Sequence, residues 1–89
     1  MNVEVLFFGR LRELTEEPKV IVTLEDGARL SGLAHRLAEL YGPEMEEQLE
    51  TIKSLRILVN GREYAQLGGM EAELKDGDTI VLMPPIFGG

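Results

Sequence analysis

The chain has 89 residues, no cysteine and a net charge of −7, from nine basic and sixteen acidic side chains. That length suits one domain with a modest core, and the missing thiols exclude disulfide staples, a thiolate nucleophile and thiolate metal ligands. The acidity argues against nucleic acid and anionic membranes as partners, since both are held through Lys/Arg patches, while an apolar share of 44% is too high for a disordered chain.

No apolar run reaches the roughly 20 residues of a membrane helix. The opening MNVEVLFFGR has neither a basic leader nor a small-residue cleavage site. The expectation is a soluble, cytoplasmic protein.

Segment 2–8 begins as a strict alternation, with Val3, Val5 and Phe7 on one face. Leu6 and Phe8 make the other face partly apolar, which predicts a strand with one buried face. Segment 9–18 is charged and reads as a connection. KVIVTL at 19–24 is rich in β-branched residues and predicts a second strand before the Asp26-Gly27 turn. Ser31 is the expected N-cap of a helix over about 32–41. Leu30, Leu33, Ala34, Leu37 and Tyr41 recur on one side of it, and His35, Arg36 and Glu39 fall on the other. Gly42-Pro43 is read as its end. Met45, Leu49 and Ile52 predict a short second helix in 44–53.

LRILV at 55–59 reads as a strand, and Asn60-Gly61 as a type I′ hairpin turn, whose two central residues need positive φ. A short return strand at 62–64 follows. Segment 65–75, with Gly68-Gly69, reads as a loop around a single turn, and Asp76-Gly77-Asp78 as a second tight turn. TIVLM at 79–83 is the last strand, stopped by Pro84-Pro85. The expected architecture is α+β, in two layers, with residues 1–83 as the domain and 84–89 as an extended tail.

The tail reads PPIFGG. Two prolines favour an extended exit from the sheet, and two glycines let backbone pass through a channel too narrow for side chains. With Gly89 as the free end, its carboxylate is the expected reacting group and Gly88 supplies clearance. A carboxylate is a poor electrophile, so activation by ATP as an acyl-adenylate would have to come from a partner. Ile86 and Phe87 argue against an idle tail, because solvent gives an apolar pair no reason to be there.

With those features in place, the chain resembles the β-grasp sulfur carriers: the small subunit of molybdopterin synthase and the small archaeal ubiquitin-like modifiers. VEVLFFGRLRE, ARLSGLAHRLAELY, the V-N-G of residues 59–61 and ELKDGDTIVLMPPIFGG of residues 73–89 carry the resemblance nearly from end to end. Thiamine-pathway sulfur carriers share the Gly-Gly end but usually lack the double proline and the helical insert at 44–53. The resemblance implies a ubiquitin-like β-grasp: a mixed sheet of about five strands, its first and last strands parallel in the middle, with one main helix packed across one face and a short second helix.

It also implies a mechanism, in which a ubiquitin-activating-type enzyme adenylates Gly89 using ATP and a persulfide donor converts the terminus to a thiocarboxylate. In the synthase branch the tail, Pro84, Pro85, Ile86 and Phe87 included, enters the large subunit of molybdopterin synthase. There it gives sulfur to a pterin precursor for molybdenum or tungsten cofactor assembly. In the modifier branch Gly89 is joined to lysines of target proteins. Phe87 departs from the small residue usual before the glycines, which bears on partner choice.

Outside the tail the sequence offers little chemistry. His35 stands alone on the polar helix side, the acidic clusters lack calcium-loop spacing, and Gly68-Gly69 has no P-loop pattern. The expectation is a carrier or modifier with no catalytic groups, no metal site and no bound cofactor. An inert β-grasp binding module is the alternative from another class. If Val3, Val5 and Phe7 face the helix, then Leu6, Phe8 and Met83 face away, joined by Ile21, Leu58 and Val81 according to register, and form a docking patch.

Overall fold

The computed structural model describes residues 1–51 and 55–83. Its five-stranded mixed sheet has the order β2-β1-β5-β3-β4. The strands are β1 (Asn2–Phe7), β2 (Lys19–Thr23), β3 (Arg56–Val59), β4 (Arg62–Glu63) and β5 (Thr79–Met83). Three helices accompany them: α1 (Gly9–Thr15), α2 (Leu30–Tyr41) and α3 (Pro43–Thr51). The expected tail, 84–89, and Ile52 and Lys53 of the expected second helix lie outside the described residues. None of the helices is long and apolar enough to cross a membrane.

β1 and β5 are parallel neighbours in the centre of the sheet, with Val5 opposite Ile80 and Phe7 opposite Leu82. The alternation predicted for β1 holds: Val3, Val5 and Phe7 are buried. On β5, Ile80 and Leu82 are buried in the same sense. These five side chains form one side of the core, and Leu30, Leu33 and Leu37 of α2 form the other. Phe7 meets Tyr41 edge to face, with ring centroids 5.9 Å apart, a geometry that matches positive ring edge to negative ring face. Burial pushes the Tyr41 hydroxyl pKa up, and the charge of Glu17 pushes in the same direction.

Several local expectations are corrected. Segment 9–18 is not wholly a connection, since residues 9–15 form α1. Leu11, Leu14 and Thr15 have helical i, i+3, i+4 spacing, and Leu11 is fully buried beside β1 and β5. This helix of 7 residues is too short to persist alone and depends on that burial. It ends with Glu16 in the left-handed region (φ 61°), whose N–H donates to the Arg12 carbonyl.

The second correction is the start of α2. Ser31 is not its N-cap; the helix begins at Leu30 after an extended Arg29. The Leu30 N–H donates to the Ala72 carbonyl at 2.9 Å, and the Leu74 N–H donates to the Ala28 carbonyl at 2.9 Å. A distant backbone segment thus satisfies the N–H of the first helical residue, one of the donors that a helix start leaves without an intrahelical partner. Pro43 likewise proves to be the first residue of α3 rather than a mere stop, because proline has no N–H to lose in a first turn. Met45 and Leu49 then turn inward, Met45 completely buried.

Segment 65–75, expected as a loop around a single turn, instead contains the end of one 3-10 turn, Tyr64–Leu67, and a second, Gly69–Glu71, before the buried Ala72 and Leu74. The β3–β4 hairpin follows expectation: Asn60 and Gly61 have φ of 52° and 82°. The Asn60 side chain adds a link invisible in the sequence. Its Oδ1 accepts from the Thr79 N–H at 2.9 Å, and its Nδ2 donates to Asp78 Oδ1 at 2.9 Å. Asp78 Oδ2 accepts from the Lys75 N–H, and Asp76 Oδ1 accepts from the Asn2 N–H. Two turns therefore anchor each other and the starts of β1 and β5.

Leu11→Ala should lower unfolding free energy by about 2–5 kcal/mol, through lost burial and an unfilled cavity, as read by urea denaturation with α1 amide exchange as the local probe. Asn60→Gly, which keeps the turn but loses both side-chain links, should cost about 1 kcal/mol. Asn60→Val should cost more than Asn60→Gly by the same measurement, because a β-branched residue is strained at positive φ.

Candidate functional site

The residue that leads into the tail is Met83, the last of β5 and half-buried. β5 is paired on both sides up to this end. Leu82 lies between Phe7 of β1 and Ile57 of β3, and Met83 lies opposite Arg56. The Phe8 N–H donates to the Leu82 carbonyl at 3.2 Å. The sequence then continues Pro84-Pro85-Ile86-Phe87-Gly88-Gly89, all outside the described residues.

The open sheet face starts beside this root. Register places Leu6 beside Val81 and Val81 beside Leu58, in three adjacent strands and on the face opposite the helices. All three are half-buried. Phe8, 43% exposed, lies in the chain just after β1, at the end of the sheet where Met83 ends β5. Ile21 of β2 is 61% exposed and opposite Glu4. Leu6, Phe8 and Met83, picked out from sequence, thus lie at one end of the face, and Leu58 and Val81 extend it toward β3.

Charged residues border this apolar strip. Lys19 Nζ sits 3.6 Å from Glu4 Oε2 on the β2 side. On the β3–β4 side the Arg56 guanidinium pairs with Glu63, its Nε 3.0 Å from Oε1. Both pairs are solvated, so they add little stability; they set a polar rim around a drier centre, the general layout of a protein interface. The sequence reading missed these pairs. They are diagonal or cross-strand neighbours, and their signal exists only once register is known.

The remaining sequence candidates fall elsewhere. His35 is exposed on α2, next to the Arg36–Glu39 pair at 3.7 Å. Gly68, with φ of 103°, separates the two 3-10 turns, and Gly69, with φ of 67°, begins the second. Among the described residues no group of three or more His, Asp or Glu side chains is placed to hold a metal ion.

Known proteins give this geometry a context. The chain is 30% identical to small archaeal modifier protein 3 of Haloferax volcanii over the full length of both. It is 32% identical to the molybdopterin synthase sulfur carrier subunit of Drosophila yakuba, over all of this chain and 92% of the relative. Among solved structures, it is similar to the Helicobacter pylori protein–protein complex of subunits 1 and 2 of molybdopterin-converting factor, with 31% identity, full coverage of both chains and a TM-score of 0.64. The central parallel pair, the mixed five-stranded sheet and the helices on one face are those of a ubiquitin-like β-grasp. The ThiS family model matches residues 5–89, so the helices, the sheet and the Gly-Gly end are matched together, and the chain belongs to the ThiS family.

Proposed function

We propose that the chain is a sulfur carrier for molybdopterin synthesis, acting through the carboxylate of Gly89. The observation that carries this reading is the ThiS family match over residues 5–89, Gly88-Gly89 included, beside the full-chain similarity to a molybdopterin synthase sulfur carrier subunit. A central strand paired on both sides fixes the root of the tail, and the residues beyond it supply the narrow, side-chain-free end that a deep active site needs.

The chemistry is divided between the chain and its partners. An adenylating enzyme of the ubiquitin-activating type joins the Gly89 carboxylate to AMP, releasing pyrophosphate from ATP. A persulfide sulfur then attacks the acyl carbon and displaces AMP. Reduction of the resulting acyl disulfide by a thiol leaves a thiocarboxylate, which the tail delivers to the synthase large subunit in the cytoplasm. ATP is consumed by the activating partner, with no cofactor held by this chain. The Helicobacter pylori complex supports a large subunit as partner. The strip of Leu6, Leu58 and Val81, with Phe8 and Met83 at the tail end, is the docking surface that sets the depth of tail insertion, and Phe87 tunes which partner accepts it.

A second reading rests on full-length similarity to an archaeal modifier protein: the same activated Gly89 is transferred to a lysine amine of a target protein. Both outcomes need the same acyl-adenylate, and the nucleophile that reaches it decides between them.

Removal of Gly89 should abolish sulfur loading while leaving the circular dichroism spectrum and unfolding midpoint unchanged. Intact mass spectrometry is the check: the full chain gains the mass of one oxygen replaced by sulfur, and the shortened chain does not. Sulfur transfer that persists without Gly89 refutes the carrier reading, and Gly-Gly remnants on lysines of other proteins would select the modifier reading. Val81→Glu, at the middle of the strip, should weaken binding to the activating enzyme or the large subunit by about tenfold or more. Titration calorimetry measures that loss, with the fold retained because the side chain points away from the core.

A further inference from the structure

The two edges of the sheet are unequal. β4 has only two residues before the chain turns away, whereas β2 has five in continuous register with β1 from Lys19 to Thr23. It contains neither proline nor a bulge, the usual means of blunting an edge.

Hydrogen bonding shows which backbone groups of β2 are unused. Met1 and Leu24 exchange both of their bonds, and the Phe7 N–H donates to the Pro18 carbonyl. Antiparallel pairs alternate between bonded and non-bonded, so Val22 and Val20 are tied to Val3 and Val5. Lys19, Ile21 and Thr23 therefore turn their N–H and C=O groups outward, and no described residue meets them. Ile21, the middle one, is the most exposed of the large apolar residues in the described chain. On the helix side, an open hollow of about 590 Å³ lies between the end of this strand and α2, lined by Thr23, Leu24, Gly32 and Arg36 among others. A Cβ at Gly32 would meet only Ala28, at 4.0 Å, which leaves room along the helix.

Charge indicates which strand fits. In the antiparallel self-pairing that uses all three outward residues, Ile21 faces Ile21 of the second copy and Lys19 faces Thr23. That register places Glu17 opposite Glu25 and Glu16 opposite Asp26 at both ends, all exposed carboxylates, and like charges directly opposite are destabilising. Two chains of −7 also repel. The same acids attract a strand with cationic ends.

We propose that β2 receives an extended segment of a partner protein as a sixth strand, with apolar residues in the middle and Lys or Arg at both ends. The backbone of Lys19, Ile21 and Thr23 supplies the hydrogen bonds, Ile21 packs on the apolar centre, and Glu16, Glu17, Glu25 and Asp26 pair with the basic ends. This surface is independent of the tail chemistry.

The test uses the full chain, isotope-labelled for NMR, and the peptide Lys-Lys-Val-Thr-Val-Thr-Val-Lys-Lys. The peptide should slow amide exchange at Lys19, Ile21 and Thr23, and its analogue with Glu in place of Lys should bind about tenfold or more weakly. Ile21→Pro removes an N–H that the sheet does not use, a position where an edge strand tolerates proline; it should lose binding by about tenfold or more with the rest of the spectrum intact. Should that variant fail to fold, the double variant Glu17→Lys, Glu25→Lys keeps the edge and should shift preference toward the Glu-ended peptide. The proposal is overturned if the Lys-ended peptide does not bind, if the two peptides bind alike, if shifts centre on Leu6, Leu58 and Val81, or if folded Ile21→Pro binds as the parent does. It is equally overturned if protection at these amides rises with protein concentration alone, which would assign the edge to a second copy.

Discussion

The parallel pairing of β1 with β5 is the constraint on which the rest of the molecule depends. Two strands from opposite ends of the sequence lie side by side in the sheet centre, with Val5 and Ile80 opposed and both fully buried. A parallel pair cannot be closed by a tight turn. Everything between residues 8 and 78 is in that sense the crossover, and it must cover the apolar face that the central pair creates. α2 does most of this, while α1 and α3 close one end through Leu11 and Met45.

Function follows from the same placement. Because β5 is central, the chain leaves the sheet from its middle rather than from a fraying edge. Leu82 is held from the β1 side by the Phe8 N–H, and Met83 is in register with Arg56 of β3. Helices on one face leave the other to a mixed surface, apolar along Leu6, Val81 and Leu58 and bordered by Lys19–Glu4 and Arg56–Glu63. A small domain that spends one face on its core has the other free for partners, and here that face begins at the root of the tail.

Acidity has a structural distribution as well as a total. Asp76 and Asp78 are used internally, accepting backbone N–H groups at the start of β1 and in the 75–78 turn. Glu16, Glu17 and Glu25 remain exposed around β2. The net charge of −7 argues against nucleic acid as a partner, but it does not distinguish carboxylates that hold turns together from carboxylates that face solvent.

Much was legible from residues alone. Alternation at 3, 5 and 7 located the buried face of β1, Asn60-Gly61 the hairpin and the leucine spacing of α2 its core side, because each depends on local geometry. What the sequence by itself determined was therefore the set of strands and the main helix, together with the Gly-Gly ending that the family match covers. Tertiary structure decided the rest. It made α1 a helix by burying Leu11, and it started α2 at Leu30, before the expected cap Ser31, with the Leu30 N–H held by the Ala72 carbonyl. It also set the register that brings Leu6, Val81 and Leu58 together. These outcomes rest on contacts between residues tens of positions apart, and local propensity holds no information about which distant partner will arrive.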